Sequence, residues 1–335
     1  MTPEEVMELS HIGVVFFENF VRTIIALLLF GIYFLAFCIG LYIYCHKNST
    51  AGGAKKAMIC VLLGTFVLML LLLVSGVAPV PGLVKYALVV TLPGGIMEQI
   101  VAADAQSHSL VYNTITNWLS NMVILITDTV IVWRAWAMWM DNAKVRWTLL
   151  LLMLANIGVS LADSALDSQT VLNNLAVTLD WVSIVLSFSV NMIATCLISF
   201  RAWLHHRSIK SISIARKWTK GERILLLLVE SGGIYALLQL LSIIASALSV
   251  KAPPLGPISF TSTLTIQFYV AAAALNPVAI FILVQTQNTY EKASILGRFQ
   301  HPANKINHSM VSAILSGPEG NVAFTEQEIN ITCSA

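Results

Sequence analysis

Residues 23–45 read TIIALLLFGIYFLAFCIGLYIYC and residues 57–77 read AMICVLLGTFVLMLLLLVSGV, two runs without a charged side chain. At about 1.5 Å of rise per residue, each is long enough as a helix to cross a bilayer hydrocarbon core about 30 Å thick, given modest tilt or flanking residues. Five more apolar runs follow at 115–140, 147–163, 180–203, 223–249 and 259–285. The run at 147–163 is the shortest. Backbone groups in hydrocarbon need internal partners, and no alternating barrel pattern crosses these stretches, so every span is expected to be helical. The expected fold is an all-α membrane protein, a seven-transmembrane-helix bundle with its N-terminus outside and its C-terminus cytoplasmic.

The remainder of the chain agrees. Of 335 residues, 57% are hydrophobic and 11% charged; mean hydropathy is +0.79, well outside the range of soluble domains. Residues 1–22 are expected to form a short extracellular N-terminus, 23–285 the bundle and 286–335 a cytoplasmic tail, with no room for a large soluble domain. The opening MTPEEVMELSHIG is acidic and lacks a positive n-region and a cleavage site, so the first helix is expected to be its own insertion signal.

Orientation follows from the basic residues. Lys47, Lys55, Lys56, Lys144, Arg146, the seven between Arg201 and Arg223, Lys292, Arg298 and Lys305 fall on one side, fifteen in all, against Arg22, Lys85 and Lys251 on the other. This bias places the first set in the cytoplasm. Cys38, Cys45, Cys60 and Cys196 lie in or at the cytoplasmic ends of spans and Cys333 in the tail, so no extracellular disulfide is expected. The sequons at Asn48, Asn307 and Asn330 fall inside and are expected to stay unmodified.

The longest outer connection runs from Ala78 to Thr114, with Pro79, Pro81 and the turn Pro93-Gly94-Gly95. It is expected to be either a lid over the bundle or an interfacial loop. The inner segment from Arg201 to Arg223 suits anionic lipid or a cytoplasmic signalling protein with an acidic surface. In the tail, Asn288 to Gln300 fits a short amphipathic helix on the inner leaflet, followed by a polar, disordered end.

Polar residues inside the spans carry the functional information, because facing lipid is costly for them and they turn inward. Asn117, Asn121 and Asp128 lie within about 40° of one another at 100° per residue on the third helix. The fourth carries Asn156, Ser160 and Asp163, and the fifth Asp180, Ser183, Ser187 and Asn191. Ser231, Tyr235, Gln239, Ser242 and Ser246 line the sixth, and Ser262, Thr265, Tyr269 and Asn276 the seventh. Candidate ligand-contacting residues are Asn117, Asn121, Asp128, Asn191, Gln239 and Tyr269. Asp128, with no cation in helical reach, is either a ligand, ion or proton site or a protonated or hydrogen-bonded structural carboxyl.

Arg134 lies about 9 Å from the inner end of its helix at 1.5 Å per residue, and Glu230 sits at nearly the same depth on the sixth. Neither has an opposite charge three or four residues away on its own helix. A cross-helix ion pair between them is one expectation and a snorkelling Arg134 the other; together with Asn276 and Pro277 they form the candidate switch. Pro277 is the one proline well inside a span.

Three stretches carry a resemblance: Thr127-Asp128-Thr129-Val130-Ile131-Val132-Trp133-Arg134-Ala135-Trp136, Glu230-Ser231-Gly232-Gly233-Ile234-Tyr235, and Phe200-Arg201-Ala202-Trp203-Leu204-His205-His206-Arg207. In these the chain resembles the orphan seven-transmembrane-helix membrane proteins of basidiomycete fungi. The resemblance spans the bundle and implies a receptor-like architecture, without a particular ligand or reaction. The chain departs from the pattern at Ala274-Leu275-Asn276-Pro277, where a Gly-Ile-Tyr-Pro type sequence is expected. Asn276-Pro277 is also similar to the seventh-helix motif of rhodopsin-like G-protein-coupled receptors, but Ile280 replaces the tyrosine, and the Asp-Arg-Tyr ending and outer cysteine pair are absent. The Trp-Arg-Ala-Trp and Phe-Arg-Ala-Trp helix ends read as interfacial anchors.

The expected function is an integral receptor-like protein of the plasma membrane, sensing a small molecule through its polar interior and signalling by its basic inner loops. The alternative is a transporter or channel using Asp128, though no interrupted helices in matching halves mark an inverted repeat. The seven histidines, His11, His46, His108, His205, His206, His301 and His308, all lie outside the spans or at their ends. An intramembrane metal enzyme is therefore not expected, and the seventh span has no lysine for a retinal Schiff base. No cofactor, metal or nucleic-acid partner is expected.

Overall fold

The computed structural model describes residues 3–46, 53–85, 89, 110–167, 173–210, 220–250, 252, 256–283 and 285–286. Among them regular structure is helical throughout. Helix α1 spans Pro3–His46, α2 Gly53–Val77, α3 Leu110–Met138, α4 Ala143–Asp167, α5 Asn173–Lys210, α6 Lys220–Ser249 and α7 Pro257–Leu283. All seven contain a stretch long and apolar enough to cross a membrane, and the chain is an integral membrane protein.

The expected spans match these helices to within two residues or fall inside them. Helix α1 reaches back to Pro3, giving it a length of about 66 Å at 1.5 Å per residue, roughly twice the hydrocarbon thickness. The connection expected from Ala78 starts as a short helix, Pro79–Val84. Most of its remainder, the basic stretch 211–219, the three sequons, Cys333 and the tail beyond Thr286 with its expected amphipathic helix lie outside the described residues.

Side-chain placement is the reverse of a soluble protein. Leu28, Leu35 and Leu151 are each more than 60% exposed, while Asp128, Asn156 and Asn191 are 0% exposed. Leucine outside and carboxylate inside is stable only where the surrounding solvent is lipid. Cys38, Cys45, Cys60 and Cys196 are free thiols.

Helix α3 packs against α2, α4 and α5, while α5 also packs against α4 and α6, and α1 against α2. Helix α7 closes the ring. Phe281 and Ile282 approach Gly40 of α1, the Ala273 carbonyl meets α3 and Tyr269 meets α6. Over half of its apolar stretch, 56%, is buried, against 17% for α1 and α2, so α7 is a central helix and α1 and α2 are peripheral.

At the face where α7 ends, Trp139 donates from Nε1 to the Leu197 carbonyl at 3.2 Å and stacks on Phe200. Arg201 lies over the Trp139 ring and pairs with Asp141 at 2.8 Å. The turn that follows α3 is thus tied to the Phe200-Arg201 stretch of α5. Trp133 and Trp203 remain half exposed, as interfacial anchors require.

Candidate functional site

A buried hydrogen-bonded network joins α3 to α7. Asp128 Oδ2 on α3 accepts from Ser187 Oγ on α5 at 2.6 Å and from Asn156 Nδ2 on α4 at 2.9 Å. Gln239 on α6 donates from Nε2 to Ser187 Oγ and to the Tyr269 hydroxyl of α7, both at 3.1 Å. Its Oε1 accepts from Asn191 Nδ2 at 2.8 Å, and Asn191 Oδ1 accepts from Thr195 Oγ1 at 3.3 Å. Tyr235 stacks on Tyr269, with ring centroids 5.7 Å apart. Asp128 Oδ1 alone of the carboxylate has no hydrogen-bond partner. Helical spacing explains the convergence: Ser187, Asn191 and Thr195 stand four residues apart on one face of α5 and meet three other helices there.

Of the expected ligand-contacting residues, Asp128, Asn191, Gln239 and Tyr269 are brought together, but they bond one another. Their partners Ser187 and Asn156 belong to the polar stripes read from sequence, whereas Thr195, which continues the i+4 line, escapes that reading. Asn121 lies apart, donating to Ser164 Oγ on α4 at 2.6 Å. The stripe residue Asp180 has its helix described but not its side chain.

A second junction involves Pro277. Proline lacks an amide hydrogen, so the carbonyl four residues earlier, at Ala273, loses its helical donor. Thr127 Oγ1 of α3 supplies one, at 2.7 Å, while also lying 3.0 Å from the Val123 carbonyl. A hydrogen bond between helices replaces one within a helix, as membrane helices with internal prolines require. Next to the proline, both polar atoms of the Asn276 side chain are buried without a hydrogen-bond partner.

The expected ion pair between Arg134 and Glu230 is not formed. Arg134 is only 8% exposed, with Nε and Nη1 unpartnered, while Glu230 is exposed. The reason is packing order. Helix α6 seats chiefly on α5 and Glu230 is exposed, so matched depth does not become contact. Gly232, two residues beyond Glu230, makes the close approach instead: a Cβ there would stand 2.8 Å from Thr195 Oγ1.

Away from the network, a cavity of about 320 Å³ opens between α1, α2, α3 and α7. Asn117 lines it, as do Arg22, Thr116 and Gln267. This cavity was not anticipated from sequence, because α1 and α2 carry no polar stripe to announce it. Comparison with known proteins finds no matching protein-family model, no matching curated protein and no matching solved structure.

Proposed function

We propose that this chain is a receptor-like protein of the plasma membrane, oriented with its N-terminus outside and its C-terminus in the cytoplasm. A small molecule held between α1, α2, α3 and α7 acts on the buried network, which passes the change to the basic cytoplasmic segments from Arg201 to Arg223 and to a signalling protein bound there. The fifteen-to-three distribution of basic residues supports the orientation. The three stretches quoted above support kinship with the receptor-like proteins of basidiomycete fungi.

One observation carries the receptor reading over the transporter. The network ties five helices through groups that are fully or almost fully buried: Asp128 and Asn191 are 0% exposed and Gln239 1%. A solute path needs open space beside its binding carboxylate; a conformational coupling element needs direct bonds from helix to helix, which run here from Asp128 through Ser187 and Gln239 to Tyr269.

The test uses spin labels at the ends of α3 and α6 on the face where α7 ends, with the full chain in lipid nanodiscs. Gln239→Leu removes three hydrogen bonds of roughly 0.6 kcal/mol each, which is about 2 kcal/mol or near thirtyfold in a two-state ratio. A second distance population is expected in that variant. An unchanged distribution overturns the reading, and so does ion or proton flux in proteoliposomes that disappears in Asp128→Asn.

A further inference from the structure

We infer that the cavity between α1, α2, α3 and α7 binds a single-chain amphiphile with an anionic head group of the fatty-acid carboxylate kind. This deepens the receptor reading and rests on it for its consequence, though not for binding itself.

The lining is graded along the helices. Among the described lining residues Arg22 is the one charged side chain, and Asn113, Thr116 and Asn117, from the first turns of α3, line the cavity with it. Deeper in, the wall is Phe30, Met69, Leu72 and Val270. Phe30 follows Arg22 by eight residues, about 12 Å along α1 at 1.5 Å per residue, so the cation marks one end of the site and aromatic and aliphatic surface the other. A cation, amide donors and an apolar channel in that order match a carboxylate followed by an acyl chain. The volume, about 320 Å³, stands at the low end for small-molecule pockets and suits one chain rather than two.

Arg22 has donors to spare. Its Nη2 donates to Asn19 Oδ1 at 3.0 Å, and a guanidinium carries five N–H groups that pair well with carboxylate oxygens. Gln267 reaches the Arg22 carbonyl from α7 at a long 3.5 Å, and its Oε1 is buried without a partner. The Gln267 amide nitrogen carries two N–H groups, so one remains for a carboxylate beside this weak contact. Glu18, one turn before Arg22 on α1, is the competing anion, so its removal strengthens the site.

The test is equilibrium binding of decanoate to the full chain in nanodiscs, with decanol as the uncharged comparator and empty nanodiscs as the partition blank. Decanoate is expected to bind saturably above the blank and at least tenfold more tightly than decanol. Arg22→Gln weakens it by about tenfold or more, the value of a hydrogen bond to a charged group. Glu18→Gln tightens it, and Ala26→Phe, which fills the cavity without touching its charge, abolishes it. One arm adds decanoate from water and another preloads palmitate in the bilayer; saturable, Arg22-dependent occupancy in either supports the site and tells a dissolved from a lipid-borne source. Equal affinity for decanol, or unchanged affinity in Arg22→Gln and Ala26→Phe, overturns the inference. Binding without a change in the α3 to α6 distance overturns the receptor reading alone; a second distance population in Gln239→Leu without decanoate binding overturns this inference alone.

Discussion

Thr127→Val tests whether α3 and α7 are joined through the gap that Pro277 leaves. Valine keeps the shape of threonine and removes one hydroxyl, so packing is nearly unchanged and the Ala273 carbonyl loses its donor at 2.7 Å. Hydrogen bonds between membrane helices contribute about 0.6 kcal/mol on average and up to about 1.7. This one belongs at the upper end, because a proline denies the carbonyl its local alternative and leaving a buried acceptor bare costs about 1–3 kcal/mol. We expect a loss of about 1–2 kcal/mol in unfolding from lipid-detergent micelles. Pro277→Ala returns the amide hydrogen to α7 and lets Ala273 bond within its own helix. In that background Thr127→Val is expected to lose no more than about 0.5 kcal/mol, so a double-mutant cycle gives a coupling near 1 kcal/mol. Strict additivity of the two changes refutes the compensation, as does a Thr127→Val protein as stable as the wild type.

Gly232→Ala places a methyl group 2.8 Å from Thr195 Oγ1, and overpacking of this kind costs about 1–3 kcal/mol; adding Thr195→Ala is expected to restore thermal stability, and failure of that rescue means the two helices do not meet there. Arg134→Met is expected to leave stability unchanged or to raise it, since a buried guanidinium with two unpartnered nitrogens is replaced by a flexible apolar chain. Glu230→Gln should stay within about 0.5 kcal/mol of the wild type, as exposed positions do. Losses of 3–5 kcal/mol in both, measured by thermal inactivation, would instead be the mark of a buried ion pair.

The spans were legible because uncharged runs such as 23–45 leave the chain one solvent to live in, and boundaries missed only where helices outlast the hydrocarbon, as α1 does. The inward faces of α3, α5, α6 and α7 were legible from period alone, which is why Asp128, Asn191, Gln239 and Tyr269 are found together. Helix adjacency was not. Depth and opposite charge suggested Arg134 with Glu230, but a periodic pattern says which way a residue faces on its own helix and nothing of which neighbour stands there. Thr195 and Thr127 were missed for a related reason: threonine in a membrane helix commonly bonds its own i−4 carbonyl, as Thr129 and Thr265 do, so its type gives no sign of a partner on another helix.

The cavity and the network meet in α7, and the position of Pro277 decides how one can act on the other. Gln267 faces the cavity and Tyr269 the network, two residues apart on an unbroken stretch of helix, so they move as one body. Below them the helix has a single missing internal bond, at the Ala273 carbonyl, and there resistance to bending falls to whatever Thr127 supplies. Under the proposed receptor reading, a molecule that draws Gln267 toward Arg22 would turn Tyr269 with it and lengthen the 3.1 Å contact with Gln239. Asn276 sits at that joint with both side-chain polar atoms buried and unpartnered. Unsatisfied buried amides are costly, so the resting arrangement is not relaxed at that point. The resting arrangement thus bonds Tyr269 into the network and leaves the Asn276 amide beside the joint without a partner; under the proposed receptor reading, a ligand that favours an arrangement reversing this would bias a two-state element.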